Sequence, residues 1–173
     1  NGSYQEYRTT ELTIGATTQT IGAGPGAGSS RIKINNEGIA TTLTVFGTAT
    51  AESSGAEALL WRGTNAANVV NVYKGSVGVA VGAGQTAAIA TLRVGYTSNV
   101  LGDSFVRCSS GVTLTTINQS GGTLEINSAC TTINKTAGKL KTGGSGAITT
   151  LNEDGGTTVS NSTGTITTLN VSD

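Results

Sequence analysis

The chain has 173 residues, a formal net charge of zero at pH 7 and no histidine. Zero net charge provides no basic field for a phosphate backbone or an anionic bilayer, so we expect neither nucleic-acid nor membrane binding. The lack of histidine excludes Ser-His-Asp triads, Cys-His dyads and the usual zinc sites.

Composition predicts an all-β fold. Only 4% of the residues are aromatic and 12% are charged, whereas 26 are Gly and about 30 are Thr. β-branched side chains suit a pleated strand, and Gly permits tight turns. We therefore expect short strands and almost no helix.

Residues 1–52 are predicted to form an N-terminal β arm or small β-module that anchors the protein. Their alternating segments predict strands at Glu11–Ile14, 31–34 and 41–46, with a Gly-rich linker at 22–30. These segments lack the repeat that follows, which places the domain boundary near residue 53.

Near the N-terminus, Tyr4, Tyr7 and Arg8 are candidates for anchoring a partner, because Tyr and Arg carry much of the energy of protein interfaces. A frayed tail is the alternative interpretation. At the start of the second region, Trp61 follows two leucines and is predicted to cover the end of the core.

A five-residue motif dominates the last third of the chain. It reads L-T-T-I-N from Leu114, C-T-T-I-N from Cys130, and I-T-T-L-N from Ile148 and Ile166, so its copies start at nearly equal intervals. Repetition at a short, nearly fixed period is typical of a solenoid. Residues 53–173 are therefore predicted to form a parallel β-helix, or β-solenoid, with coils of about 16–20 residues.

The spacing within the motif predicts a bend. Its two apolar residues are three apart, and a straight strand would send them to opposite faces. A bend at the Thr pair would turn both inward, which predicts a core column of Leu114, Ile117, Cys130, Ile133, Ile148, Leu151, Ile166 and Leu169. A second apolar set is predicted at Leu124, Ile126, Leu140 and Val159.

Alignment of the repeats also predicts contacts between coils. The motif asparagines should form a structural ladder of stacked amides: Asn118, Asn134, Asn152 and Asn170. Glu125 and Lys141 are separated by the local repeat length, and so are Lys135 and Glu153. Each pair should therefore form a surface salt bridge between neighbouring coils.

The two cysteines, Cys108 and Cys130, are predicted to face inward as free thiols, with a disulfide between them left open. No catalytic, cofactor or metal site is predicted. A glycosidase needs two carboxylates, but the candidates suggest no pair that faces a cleft, and the regular coils lack aromatic platforms for a sugar. The candidates are Glu52, Glu57, Asp103, Glu125, Glu153 and Asp154.

Residues 58–173 contain four distinctive segments: L-L-W-R-G-T-N-A-A-N-V-V-N-V, I-A-T-L-R-V-G-Y, S-G-V-T-L-T-T-I-N and the terminal I-T-T-L-N-V. On these segments this part of the chain resembles β-helical virion proteins of tailed bacteriophages. The resemblance implies a non-enzymatic structural protein of the virion surface that decorates the capsid or forms a head fibre. The implied partners are the major capsid protein or another virion protein, and further copies of the chain, with a trimer favoured.

Three alternative functions remain open. A receptor- or glycan-binding fibre or adhesin could share this architecture. An ice-binding solenoid could use a threonine column at Thr115, Thr131, Thr149 and Thr167. A polysaccharide depolymerase shares the fold class but normally has larger coils and an acidic cleft.

Overall fold

The structure is a computed structural model that describes residues 32–46, 57–95 and 104–172, and the backbone of residues 5–6 and 11–14. The described residues contain no helix, and hence none long and apolar enough to cross a bilayer. The expected all-β class is confirmed.

Fourteen strands form a single open sheet, and all their pairings are parallel. In chain order they are β1 (Gln5–Glu6), β2 (Glu11–Ile14), β3 (Ile32–Asn35), β4 (Thr42–Val45), β5 (Leu59–Arg62), β6 (Val69–Val72), β7 (Gly75–Val79), β8 (Ala87–Val94), β9 (Ser104–Cys108), β10 (Val112–Ile126), β11 (Cys130–Thr142), β12 (Ile148–Glu153), β13 (Thr157–Ser160) and β14 (Ile166–Val171).

The strands are arranged in two rows. Row one contains β1, β3, β5, β7, β9, the second halves of β10 and β11, and β13. Row two contains β2, β4, β6, β8, the first halves of β10 and β11, β12 and β14. The chain visits row one and then row two at each level, and the described strands make eight levels.

The length of chain per level is regular at the C-terminal end and variable before it. Gln119 stands in register with Lys135, and Lys135 with Glu153, so these steps fall within the predicted coil length. Many earlier steps are longer, as from Val94 to Gln119, but the step from Leu59 to Val77 has the predicted length. Within residues 53–173 the predicted coil length is therefore right for some earlier steps and too short for others, because some connections between strands are longer.

The predicted boundary near residue 53 falls within this sheet. On its N-terminal side, β3 pairs with β5, and β4 pairs with β6. The predicted segments Glu11–Ile14, 31–34 and 41–46 correspond to β2, β3 and β4. The residues immediately around the boundary, 47–56, lie outside the described residues, and the division into two regions stays a prediction.

A single apolar cluster runs between the two rows. The motif residues Leu114, Ile117, Cys130, Ile133, Ile148 and Leu151 are all buried in it. The register passes directly from Leu114–Cys130 to Thr116–Thr132. The burial of both apolar positions fits the predicted bend at the Thr pair.

The last level departs from the predicted core column. Ile166 is partly buried, while Leu169 is 56% exposed. β14 pairs with β12, and no described strand covers its other edge. The sequence motif at this level is unchanged, but no described level lies beyond it to bury the Leu169 side chain.

Two further apolar positions also differ from prediction. Val159 is 38% exposed, because it stands in register with Lys141, whereas Thr158 stands with the buried Leu140. Trp61 is 1% exposed and lies between Ile34 and Val79 of the adjacent levels. It is therefore an internal core residue and does not cover the end of the core.

Glycines stack at the corner that leads from row two to row one. Gly138 has φ +86°, and a Cβ at this position would lie 2.6 Å from the carbonyl carbon of Gly121 and from the carbonyl oxygen of Gly122. Gly38 also has a positive φ, +78°, but a Cβ at this position would have no atom of a non-adjacent residue within 4 Å. Gly138 is therefore required by both conformation and close backbone approach.

We predict that Leu151→Ala lowers the free energy of unfolding by about 2–5 kcal/mol, whereas Leu169→Ala lowers it by less than about 1 kcal/mol. The two leucines occupy the same motif position, and burial distinguishes them. Guanidinium denaturation followed by circular dichroism measures both effects. Equal losses would contradict the exposed placement of Leu169.

A second comparison tests the glycine corner. Gly38→Ala should cost about 1–2 kcal/mol, the conformational penalty of a positive φ. Gly138→Ala adds a backbone clash and should cost more, about 3–4 kcal/mol. Unfolding midpoints of the two variants check this order, and a reversed order would exclude close contact at the corner.

Candidate functional site

The motif asparagines form a directional ladder on row two. Asn134 Nδ2 donates to Asn118 Oδ1 at 3.0 Å, Asn152 Nδ2 to Asn134 Oδ1 at 2.7 Å, and Asn170 Nδ2 to Asn152 Oδ1 at 2.7 Å. Each amide thus donates to the preceding level, as in the side-chain ladders of stacked parallel strands.

The same column continues into earlier levels with other residue types. Arg93 is in register with Asn118, and Asn71 is in register with Arg93. Arg93 Nη1 donates to Asn71 Oδ1 at 3.1 Å, and Asn71 Nδ2 donates to Thr44 Oγ1 at 3.2 Å. Sequence reasoning missed these members, because the motif that identified the column is absent from the earlier levels.

The ladder is interrupted between Arg93 and Asn118. The next acceptor in the column should be supplied by Arg93, but a guanidinium has donors and no acceptor. Within the described part of the chain, the Asn118 amide nitrogen has no hydrogen-bond acceptor. Two sets of donors therefore stand in adjacent levels without an acceptor between them.

An open groove with a volume of about 460 Å³ lies at this interruption. Its lining comes from four levels and contains one cation, no carboxylate, and otherwise amide, hydroxyl, aromatic and glycine residues. The lining residues are Tyr73, Arg93, Gly95, Asn118, Gln119, Ser120, Asn134 and Thr136. The groove is the candidate functional site of the described residues.

Tyr73 brings an aromatic ring to the groove. The rings of Tyr73 and Phe46 are 5.3 Å apart between centroids and tilted by 39°, and Phe46 is 42% exposed. This ring lies in an earlier level, outside the regular coils for which no aromatic platform was predicted. Tyr73 directly follows β6, so its place became apparent only once the levels were stacked.

Arg93 differs from the other described arginines in its charge environment. Arg62 lies 3.2 Å from a carboxylate oxygen of Glu37, and Arg107 lies 3.3 Å from one of Glu57. Arg93 is exposed and has no carboxylate partner among the residues of the described ranges. Its positive charge is therefore available to a ligand.

Gln119 combines a position in the groove lining with a buried side-chain amide. Its side chain is buried, and Nε2 donates to the carbonyls of Gly121, Gly122 and Lys139 at 3.1–3.4 Å. These three acceptors fix the amide orientation. Oε1 has no hydrogen-bond partner within the described structure.

The two predicted salt bridges occupy different environments. Lys141 Nζ lies 2.6 Å from Glu125 Oε1, with both side chains partly exposed. Lys135 Nζ lies 2.7 Å from Glu153 Oε1, but the Lys135 side chain is fully buried. The predicted surface location is wrong for this second pair, because Lys135 belongs to the interior column that contains Val94 in an earlier level.

Glu153 is stabilised as a carboxylate. Partial burial opposes its ionisation, but hydrogen bonds from Lys135 and Thr158, together with the Lys135 charge, outweigh this effect and hold the pKa of Glu153 below its ordinary value of 4.5. Lys135 also donates to the Gly155 carbonyl. The pair thus forms a small polar network inside the stack.

Both cysteines are free and buried. Burial raises the pKa of the Cys130 thiol to about 12. Burial, and secondarily the nearby Cys130, raise the pKa of Cys108 as well. Both thiols are therefore protonated at neutral pH and lack the reactivity of a thiolate.

The described candidate carboxylates have partners. Glu57 is paired with Arg107, Glu125 with Lys141 and Glu153 with Lys135, and Asp154 accepts from Ser172 at 2.6 Å. No group of acidic, histidine or cysteine side chains in the described ranges could hold a metal ion. Glu52, Asp103 and the predicted anchors Tyr4, Tyr7 and Arg8 lie outside the described residues.

The threonine columns are unequal. Thr115, Thr131, Thr149 and Thr167 are exposed, whereas the adjacent Thr116, Thr132 and Thr150 are half-buried. These levels therefore present one exposed threonine column at the bend, beside a partly covered one.

Glu153→Gln should lower the free energy of unfolding at pH 7 by about 3–5 kcal/mol, because it leaves the Lys135 charge buried and unpaired. Glu125→Gln is the matched control on the exposed pair and should cost less than about 1 kcal/mol. Denaturant titration measures both effects. Similar losses in the two variants would contradict the burial of Lys135.

The same variant has a defined pH dependence. The lowered pKa of Glu153 means that its ionised form favours folding, so its contribution is present above pH 4.5 and is lost as the pH falls through the folded-state pKa. The stability difference between the wild-type protein and Glu153→Gln should therefore narrow on acidification. A constant difference from pH 7 to pH 3 would exclude the proposed pairing.

Comparison with models of protein families, with curated proteins and with solved structures finds no match for this chain. The function is therefore argued from the geometry of the stack and the groove.

Proposed function

We propose that the chain is a non-enzymatic structural protein of a phage virion surface, which decorates the capsid or forms part of a head fibre. In this proposal the parallel sheet is a β-solenoid, and the protein assembles with further copies, most favourably as a trimer. Its partner is the major capsid protein or another virion protein.

The solenoid assignment is supported by the path of the chain. Each level contributes one strand to row one and one to row two, and successive levels pair in parallel register. Such a path winds around the apolar cluster that the two rows share. At about 4.8 Å between strands, eight levels span roughly 34 Å.

One observation carries the structural role: every described strand is tied to a neighbouring level, and row two adds an amide ladder beside the backbone bonds. A stack of this kind gives a stiff, narrow body in which only neighbouring levels need to touch. The resemblance of residues 58–173 to phage β-helical virion proteins supports the location.

The proposal predicts that the protein is a stoichiometric component of virions from the phage whose genome encodes it. Quantitative mass spectrometry of purified particles should give a copy number proportional to that of the major capsid protein. Light scattering of the purified protein should give an oligomer. Absence from particles, or a soluble monomer that does not bind capsids lacking it, would overturn the proposal.

A second candidate function is favoured by the groove. An open polar site with an aromatic ring and an arginine without a carboxylate partner in the described structure is suited to a receptor- or glycan-binding fibre or adhesin. The two functions are compatible, because the groove occupies one side of the stack.

A further inference from the structure

We infer that the groove between Tyr73 and Asn134 binds an acidic saccharide, with the carboxylate of the sugar on Arg93. This inference deepens the second candidate function and is independent of capsid decoration. It depends on three features of the groove: an uncompensated cation, donors without acceptors, and an aromatic ring.

The cation selects the charge of the ligand. Arg93 is exposed, one of its guanidinium nitrogens is held by Asn71, and it has no carboxylate partner within the described residues. None of the groove-lining residues is acidic. A planar guanidinium pairs with a carboxylate through two parallel hydrogen bonds, which are stronger than those between neutral groups.

The interrupted ladder supplies the neighbouring polar contacts. Asn118 offers amide hydrogens that have no acceptor in the described structure. Ser120 and Thr136 add hydroxyl groups whose own contacts are long, at 3.5 Å to backbone carbonyls. Ring hydroxyls of a sugar can accept from the amide and exchange hydrogen bonds with these hydroxyls.

The amide ladder also explains why the site lies at this level. Asn134 is already satisfied, since it donates to Asn118 and accepts from Asn152. Asn118 is the first ladder member whose donor lacks an acceptor within the described structure, because Arg93 takes the preceding position. A ligand oxygen between Arg93 and Asn118 would complete the column.

Tyr73 favours a sugar over a bare carboxylate. Its ring lies at the groove beside Phe46, and an aromatic ring can cover the apolar face of a pyranose. The chain has no net charge and the groove has one cation, which is a poor match for a polyphosphate or nucleic-acid backbone.

The test compares acidic saccharides with neutral saccharides of the same backbone. The probes are oligogalacturonate and its methyl ester, and sialyllactose and lactose, on an array and by calorimetry. The full chain should bind at least one acidic probe more than tenfold tighter than its neutral counterpart, which corresponds to about 1.4 kcal/mol. This preference should weaken with added salt.

Variants assign the binding to the groove. Arg93→Gln should remove the preference for the acidic saccharide. Tyr73→Ala should lower the affinity for the acidic and the neutral saccharide at least tenfold. Lys139→Gln is the matched control, because it removes one exposed positive charge from row one and should leave binding unchanged. Unfolding midpoints establish that the variants are folded, and the amide resonances of Asn118 should shift on saturation with the acidic probe.

The outcomes distinguish the role of Arg93 in binding an acid from glycan binding by the groove in general. Equal affinity for acid and ester would overturn the role of Arg93 and leave glycan binding standing. Absence of binding to every saccharide, or tighter binding to an acidic peptide or polyphosphate, would overturn the inference and remove support for the second candidate. Capsid decoration is judged separately from the composition of virions.

Discussion

Parallel, in-register pairing of successive levels is the constraint on which the rest of this structure depends. A one-residue slip would turn every inward side chain outward. The register is specified on several sides at once: by the buried motif residues such as Ile117 and Ile133, by the asparagine ladder, and by the glycine corner at Gly138. Because each contact repeats between levels, small energies per level add along the stack.

The interior is not uniformly apolar. The column that contains Val72 and Val94 in earlier levels continues as Gln119, Lys135 and Glu153. The buried ammonium requires its carboxylate and carbonyl partners, since an unpaired charge there would be strongly destabilising. This column ties three levels together by hydrogen bonds and gives the short C-terminal levels a polar component inside the stack.

The groove results from the same stacking. Arg93, Asn118 and Asn134 are far apart in the chain but occupy consecutive levels of one column. Replacement of an amide by a guanidinium at one level removes an acceptor and adds a charge. Within the described levels, the ladder thereby has a position where amide donors and a guanidinium face each other without an acceptor, and this position is the site proposed for a ligand.

The sequence by itself determined the β class, the parallel repeat and which residues of the last four levels lie over one another. A fixed period places equivalent residues, such as Asn134 and Asn152, in the same column. The burial of Lys135, the exposure of Leu169 and the groove were decided by the tertiary structure. Burial depends on which levels lie on either side. The connections of the earlier levels are longer and unequal in length, so the sequence does not predict the register that places Arg93 in the asparagine column.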